Sequence, residues 1–324
     1  MSSVTAWTSG LGRVRRAPLL VLVLWLCTLA ITVPPALALH GAIVSHLGES
    51  LEADAAADGV NYDWMQEFAD SAGPMGRTLQ PDVIGFGAVM NNTSALADVT
   101  PRALVVVIAA LAYVFVVWFL TPGIIHRLAS DRAMGAQRFF ARCGACAARL
   151  LRLSALSTVV YGALFLSLHV SMFDDLFGLL TRNTTVERTA VLIRFALYLV
   201  FVAVVASVNM LFDLAKVRMI VEDRHSVVAS LAAAARFIGA RPALALGVYA
   251  LNLGTLAAVL GVYFLVAPGA GSAGWAMWGG FAVSQAYIAA RIVTKLSFWA
   301  GEAAALQGAF GCPGFVRGSV EAAG

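Results

Sequence analysis

Cys143 and Cys146 form a Cys-x-x-Cys pair, a spacing typical of dithiol redox sites and of half a zinc site. Zinc would need two further ligands, and the sequence contains no second pair of this kind. Cys312 stands alone, and His126 and His225 lack the spacing of metal ligands. A thioredoxin-type pair also needs a βαβ setting, which this sequence does not predict. We therefore expect no metal and no cofactor, and interpret the two cysteines as small side chains on a membrane-packing face of a helix.

A second group of reactive side chains follows the fourth long apolar segment. Asp213 and Lys216 are three positions apart and can meet on one face of a helix, with Arg218 beside them. Ionisable residues in or near a membrane are functional candidates by default. The alternative is a self-paired cluster whose long side chains snorkel to the headgroups. We favour this alternative because the group lies at a segment boundary, as do Arg291 and Lys295 near the end of the last segment.

Other polar residues fall inside the apolar segments. Arg194 lies about one helical turn inside the fourth segment, where it can snorkel outward or pair with Asp174 or Asp175. The deeper candidates are Asn209, Asn252 and Gln285. They either line a substrate path or form hydrogen bonds between helices, often worth under about 1 kcal/mol each. We favour packing, since a path requires all three to converge on one hydrated cavity.

The composition places these residues in a membrane protein. The 324 residues are 60% hydrophobic and 12% charged, with a mean hydropathy of +0.83. Soluble domains carry about 25% charged residues, so this chain has too little polar surface to cover a water-soluble globule. Phosphate loops, zinc-protease motifs, nucleophile elbows and cofactor fingerprints are absent from the sequence. The arginine-rich segments lack the soluble context of nucleic-acid binding, so we expect no nucleic-acid partner.

Six apolar segments are long enough for a helix to cross roughly 30 Å of hydrocarbon. They cover residues 18–39, 103–122, 153–173, 189–212, 242–267 and 273–292. The predicted fold is all-α, a polytopic bundle of six transmembrane helices. The first segment, preceded by basic residues and ending in Pro-Ala-Leu-Ala, also resembles a cleavable signal peptide. We favour a retained helix because its apolar run is about 20 residues long, against the usual 7–15.

The arginines and lysines predict the orientation. With both termini in the cytoplasm, the inner side holds 17 of the 22 basic residues and the outer side holds five. Nine of the 18 acidic residues fall in the segment 40–101, which contains one base, Arg77. The acidic segment is therefore placed outside. The arginine- and alanine-rich composition suggests a high-GC bacterium, so we expect the bacterial cytoplasmic membrane.

Two amphipathic helices are predicted at the inner surface. On a helical wheel one stripe holds the headgroup candidates Arg138, Arg142, Arg149 and Arg152, and a neighbouring face holds Phe139, Cys143, Cys146, Leu150 and Leu153. We expect this helix to lie on the membrane, its arginines on anionic headgroups, and to run into the third span. The second has Ser226 as N-cap and Arg236 away from a face of Val227, Leu231, Ala234 and Ile238. The order amphipathic helix, span, turn, span thus occurs at 132–218 and again at 224–299.

The acidic outer segment is predicted to be a small helical cap. Residues 46–57 and 61–70 read as two helices, and the apolar stretch 81–90 is suited to folding back on the spans. Trp64 and Phe68 share one face of the second helix, with Glu67 beside them. These three residues are the candidate patch for a protein partner, which requires the two aromatic rings to be exposed.

Three stretches carry a family resemblance: FFARCGACAARLLRL at 139–153, DLAKVRMIVEDR at 213–224, and VNYDWMQEF at 60–68 followed by PDVIGF at 81–86. On these stretches the chain resembles uncharacterised bacterial six-span membrane proteins. It also broadly resembles the membrane domain attached to some glycerophosphodiester phosphodiesterases. The resemblance implies a six-span fold and no site residues. The catalytic domain of that hydrolase and its metal-binding carboxylates are missing, so its activity is not implied.

The predicted organisation has four parts. They are an N-terminus with the first helix (1–39), the acidic loop (40–101), a five-helix bundle with two amphipathic helices (102–299) and a cytoplasmic tail (300–324). The favoured function is a non-enzymatic scaffold or accessory component whose outer loop faces a protein partner. A small-solute transporter is the alternative. A third hypothesis is a lipid-modifying enzyme, which would need clustered carboxylates with histidine at one surface.

Overall fold

A computed structural model describes residues 1–57, 61–71, 73–76, 78, 103–267 and 274–311. All regular elements in these ranges are helical. In chain order they are α1 (Ser3–Arg15), α2 (Pro18–Leu47), α3 (Ala53–Ala57), α4 (Tyr62–Ser71), α5 (Gly73–Gly76), α6 (Leu104–Ser130), α7 (Ala136–Ala163), α8 (Phe177–Thr181), α9 (Glu187–Val221), α10 (Val227–Ala240), α11 (Pro242–Val266) and α12 (Trp275–Ala309). The all-α prediction is confirmed.

Five helical stretches are long and apolar enough to cross a membrane: Pro18–Leu47, Leu104–Ser130, Ala136–Thr181, Glu187–Val221 and Pro242–Val266. The chain is therefore a multi-pass membrane protein. The sixth predicted span, 273–292, falls largely in α12, which is not among the five. The count of six and the orientation stay predictions, and the stretch 81–90 and Cys312 lie outside the described residues.

The described chain divides into two compact units. The first comprises Met1–Pro18, Trp118–Leu256 and Val293–Gly324, and the second comprises Leu19–Val117 and Ala257–Ile292. Helices α6, α11 and α12 each contribute one part to each unit. The linear four-part organisation stays a prediction.

In the first unit, α7 runs without a break into a long apolar helix, as predicted. Two π-helical stretches, Leu164–His169 and Ser171–Leu176, connect α7 to α8. Facing aromatic side chains hold this region against α9: Phe173 lies 4.3 Å from Tyr198, and His169 lies 5.2 Å from Phe201 between ring centroids. Phe165, His169 and Phe173 contact Tyr198 and Phe201, so the rings form an aromatic ladder with α9.

Helix α10 packs on α9 through small residues. Ser226 is its N-cap and accepts a hydrogen bond from the backbone N–H of Ala229 at 3.3 Å, as predicted. The buried face is Ser230, Ala233, Ala234 and Phe237, so the predicted face of Val227, Leu231, Ala234 and Ile238 is only partly right. Small side chains allow close approach to α9, and this selects the buried face in place of the most apolar stripe.

The two stretches that share the order amphipathic helix, span, turn, span each begin directly after an aspartate in the left-handed backbone region, Asp131 at φ 52° and Asp223 at φ 50°. Aspartate tolerates this conformation better than most residues because its side chain can bond to the local backbone. Arg16 binds Asp131 at 3.0 Å, and Arg149 binds Asp223 at 2.5 Å. The turns that precede these two stretches therefore share the same local structure.

Helix α1 packs against the last third of α12 at two glycines. A Cβ on Gly10 would come within 2.5 Å of the backbone nitrogen of Gly301. The guanidinium of Arg13, 6% exposed, donates to Gln307 Oε1 at 2.8 Å and to the carbonyl of Leu128 at 3.3 Å. Burial lowers the pKa of Arg13 from its ordinary value, and Asp131 opposes this shift.

Candidate functional site

Asp213 is the centre of a buried polar cluster in the first unit. It lies near the end of α9 and is 4% exposed. Its Oδ1 accepts a hydrogen bond from Lys216 Nζ at 2.8 Å, which is the ion pair that the spacing of three predicted. Asp213 is buried and the Lys216 side chain is 22% exposed, and the position of the pair relative to the headgroups stays a prediction. The ion pair compensates the charge of Asp213, which would otherwise be buried without a partner.

Asn209 joins three helices to this carboxylate. Its Nδ2 donates to Tyr249 Oη at 2.9 Å and to Asp213 Oδ2 at 3.4 Å, and its Oδ1 accepts from Tyr161 Oη at 3.3 Å. The three helices are α7, α9 and α11. Asn209 thus uses both donor and acceptor on protein groups, which is the packing role expected from its position.

Both lysines of the chain converge on one tryptophan. Lys216 Nζ lies 5.6 Å and Lys295 Nζ lies 5.1 Å from the ring centroid of Trp299, within the range of cation–π attraction. Lys295 also acts favourably on the charge of Asp213. In a sequence with 22 basic residues, of which 20 are arginine, this meeting of the two lysines sets the cluster apart. Lysine differs from arginine in that its pKa shifts readily on burial.

Glu302 is the member of the cluster that the sequence analysis missed. It lies on α12, ten positions beyond the predicted span 273–292, and is 7% exposed. Among the described residues, its Oε2 has no hydrogen-bond partner. Burial raises the pKa of Glu302 well above its ordinary value, and Asp213 adds to this while Lys216 and Lys295 oppose it. The spacing of Lys295, Trp299 and Glu302 places them on one helix face, which is the signal that could have identified it.

Arg218, also a candidate, belongs to a different contact. It is 7% exposed, donates from Nη1 to the carbonyl of Ala233 at 2.6 Å and pairs with Glu222 at 2.7 Å. Its guanidinium also lies 5.6 Å from the ring of Phe310. Arg218 therefore joins the α9–α10 turn and does not complete the Asp213 cluster.

The remaining polar candidates make separate local contacts. Asn252, fully buried, donates to the carbonyl of Val248 in its own helix at 3.0 Å. In the second unit, Gln285 accepts from Trp25 Nε1 at 3.0 Å. Arg194 stacks over Phe177 at 4.6 Å, in place of the predicted pairing with Asp174 or Asp175. Phe177 lies on α8 and Arg194 on α9, so this contact joins the two helices.

Cys143 and Cys146 are buried inside the first unit, at 0% and 7% exposure. The Cys143 thiol faces the carbonyl of Leu120 at 3.9 Å, and a Cβ on Gly123 would meet its sulfur at 2.6 Å. The expectation that this face packs against the membrane is wrong, since it packs on α6. Within the described residues, no group of three His, Cys, Asp or Glu side chains could hold a metal ion.

The arginine stripe of α7 is divided between two environments. Arg138 and Arg152 are exposed and Arg142 is half-buried, whereas Arg149 is bound to Asp223 at 2.5 Å. The hydrogen bond from Arg149 lowers the pKa of Asp223, and partial burial opposes this shift. Arg149 is therefore paired with a carboxylate of the protein, which leaves the two exposed arginines as the better headgroup candidates.

The proposed outer patch is not exposed. In the second unit, Trp64 and Phe68 are 8% and 0% exposed and stack with ring centroids 5.3 Å apart, with His46 of α2 against both rings. Glu67 is exposed and accepts a hydrogen bond from Ser50 at 3.0 Å. The aromatic rings are thus the core of the cap. A small helix needs its apolar face to hold it in place, which sequence alone does not distinguish from a binding patch.

No family model, curated protein or solved structure matches this chain. The resemblance to the membrane domain of glycerophosphodiester phosphodiesterases stays a prediction.

Proposed function

We propose that the protein is a non-enzymatic scaffold of the bacterial cytoplasmic membrane, with both termini inside. One observation carries the proposal: the polar side chains that could line a transport path are engaged in separate helix contacts. Asn209 binds tyrosines of α7 and α11, Asn252 binds its own helix, and Gln285 binds Trp25. The contacts of Asn209 and Gln285 hold neighbouring helices together, and that of Asn252 stays within its own helix.

The ends of the helices in the first unit support the same role. Buried side chains on α1, α9 and α12 bind backbone carbonyls of neighbouring elements: Arg13 to Leu128, Arg218 to Ala233 and Gln307 to Ala129. Such bonds are costly to break because the buried carbonyl loses its partner. The result is a firmly joined platform on the predicted inner side.

On the predicted outer side, the acidic face of the cap is the surface for a partner. Helix α4 buries Trp64 and Phe68 and leaves Asp63, Glu67 and Asp70 exposed. A partner protein with a basic surface complements this charge, which speeds encounter and favours one orientation.

The test of this role replaces the exposed acids in sets of equal size. D63N/E67Q/D70N removes the charge of the cap, and D174N/D175N/E187Q removes three other exposed acids of the predicted outer side. In a deletion strain, we expect the first variant to fail to restore the wild-type phenotype and the second to restore it, at equal protein levels. Full complementation by both variants would contradict the partner-facing cap.

A transport role is tested by the double variant W25F/Q285L. Removing both partners of a hydrogen bond with apolar residues of similar shape is nearly neutral for stability. A scaffold should therefore complement the deletion normally. Failure of a folded, membrane-inserted variant would instead support a substrate path.

The orientation is tested with single cysteines labelled by a membrane-impermeant maleimide. D63C should react in intact cells, and R236C should react only after the membrane is permeabilised. The reverse pattern would overturn the predicted topology.

A further inference from the structure

The side chain of Glu302 is buried, and one of its carboxyl oxygens lacks a hydrogen bond within the described part of the chain. The residue is 7% exposed, and its Oε2 has no hydrogen-bond partner among the described residues. An ionised carboxylate in such a place loses its hydration without compensation, so it either takes up a proton or acquires a cationic partner. A buried acid with this property is a binding site for a positively charged species.

The groups around Glu302 decide which species it binds. From α9 it is influenced by Asp213 and Lys216, from α11 by Tyr249, and along α12 by Lys295. On the side of α1, Arg13 is directed to Gln307 and to the carbonyl of Leu128. Two ammonium groups next to the site repel a metal cation, whereas a proton adds no net repulsion once it forms a neutral carboxyl group.

Lys216 is placed to respond when Glu302 loses its proton. It is bound to Asp213 at 2.8 Å within α9, it lies over Trp299, and it acts electrostatically on Glu302 as well. Lys295 lies over the same ring and forms none of the ion pairs found in the described residues. Both lysines act electrostatically on both carboxyl groups, and Lys216 is the one that is already hydrogen-bonded to one of them, Asp213.

We propose that Glu302 is a reversible proton-binding site, and that release of its proton draws the Lys216 ammonium group from Asp213 alone into a bridge between Asp213 and Glu302. The proton passes to water, Lys216 keeps all three of its own, and no covalent bond to a heavy atom changes. In the protonated state the ion pair lies within α9. In the ionised state it also joins α9 to α12, so the contact between these helices depends on pH. The proposal is independent of the scaffold role.

The experiment is an infrared titration of the full-length protein reconstituted in lipid nanodiscs. A protonated carboxyl group absorbs separately from a carboxylate, and wild type should show one such band at neutral pH that is lost as the pH rises. E302Q should lack the band. E187Q, which changes an exposed glutamate at the start of α9, should keep it. A band that persists in E302Q, or its absence from wild type at neutral pH, would overturn the proposal.

D213N tests the shared lysine without removing Glu302. With Asp213 neutral, Lys216 is released to Glu302, and the band should vanish at a pH lower by about one to three units. An unchanged or higher titration pH would contradict the bridge. D213N also tests the proposal if the E302Q variant does not fold.

A metal cation is the alternative to a proton as the species that Glu302 binds. Titrations repeated with added Na⁺ or Mg²⁺ at constant ionic strength should give the same midpoint. Loss of the band at lower pH in the presence of either ion, absent in E302Q, would show that the site binds a metal cation and would overturn the assignment to a proton.

Discussion

The first half of α7 and the last third of α12 differ in two respects. The first is whether the sequence contains a recognisable motif, and the second is whether the structure brings polar residues of several helices together there. Helix α7 carries Cys143 and Cys146, a spacing associated with chemistry, yet both thiols are buried and that of Cys143 packs against α6 at Gly123. Helix α12 carries no recognisable motif, yet Trp299 lies under Lys216 of α9 there, and the buried Glu302 interacts electrostatically with Asp213 and Lys216. A short motif specifies residue types, whereas a site requires convergence of residues from several helices.

The two regions also differ in how they use charge. In α7 the ion pair of Arg149 lies near the surface, with its partner Asp223 34% exposed. At α12 the charged and polar groups Arg13, Glu302 and Gln307 are all less than 9% exposed. Water screens the first set and not the second, so changes at α12 should have the larger consequences.

The largest loss of stability should come from adding a side chain at a glycine where two helices are in close contact. G10A places a Cβ 2.5 Å from the backbone nitrogen of Gly301, which cannot move without shifting α12, so we expect a loss of about 3 kcal/mol or more in the free energy of unfolding. G123A meets the side chains of Cys143 and Phe139, which can adjust, and should cost about 1–3 kcal/mol.

The matched control for these glycines is G144A on α7. A Cβ there meets nothing within 4 Å, so alanine should be neutral or stabilise by up to about 1 kcal/mol through helix propensity. Thermal unfolding in detergent measures all three. Equal losses for G10A and G144A would remove the distinction between the regions.

The next largest loss of stability should come from removing polar side-chain contacts. Q307L removes one acceptor of the buried Arg13 guanidinium and the side-chain donor to the carbonyl of Ala129, and should destabilise the protein by about 3 kcal/mol. R149M breaks the ion pair with the partly exposed Asp223 and should cost about 1 kcal/mol or less. Denaturant titration of both variants tests the order, and a larger loss for R149M would reverse the comparison.

The pH dependence should have opposite signs in the two regions. The pKa of Glu302 is raised above its ordinary 4.5, so its contribution to stability is complete below that value and is lost as the pH rises through the folded value. The pKa of Asp223 is lowered from 3.8, so its contribution is present above that value and is lost as the pH falls through the folded value.

Both pH dependences are tested by measuring the unfolding temperature of the protein as a function of pH. E302Q should abolish the loss on the alkaline side, and D223N should reduce the smaller loss on the acid side. A wild-type profile that rises from neutral to alkaline pH, and keeps that rise in E302Q, would contradict the neutral buried state of Glu302.

The smallest effect is expected at the cysteines. C143A/C146A removes two buried sulfur atoms, at a cost of about 1 kcal/mol each, and should leave the zinc content and the pH profile unchanged. Native protein should react slowly with a maleimide at both positions, since both thiols are buried. Rapid labelling or bound zinc at unit stoichiometry would restore a chemical role for the pair.

Local features of the fold were predictable. The apolar segments, the N-cap at Ser226, the start of α11 at Pro242 and the continuity of α7 with the following apolar helix all follow from rules that act within a few residues. The residues that pack against each helix face were not predictable. Trp64 and Phe68 form a face that fits an exposed patch or a core equally well, and only packing against His46 distinguishes them.

The sequence by itself determined that this is a multi-pass helical membrane protein, because the length and hydropathy of a segment decide whether it can remain in hydrocarbon. It also determined the i to i+3 pair of Asp213 and Lys216, since a helix brings such residues together locally. Only the tertiary structure decided that Lys295, Trp299 and Glu302 join them. Their distance along the chain from Asp213 carries no such information, and burial of a carboxyl group depends on which helices surround it.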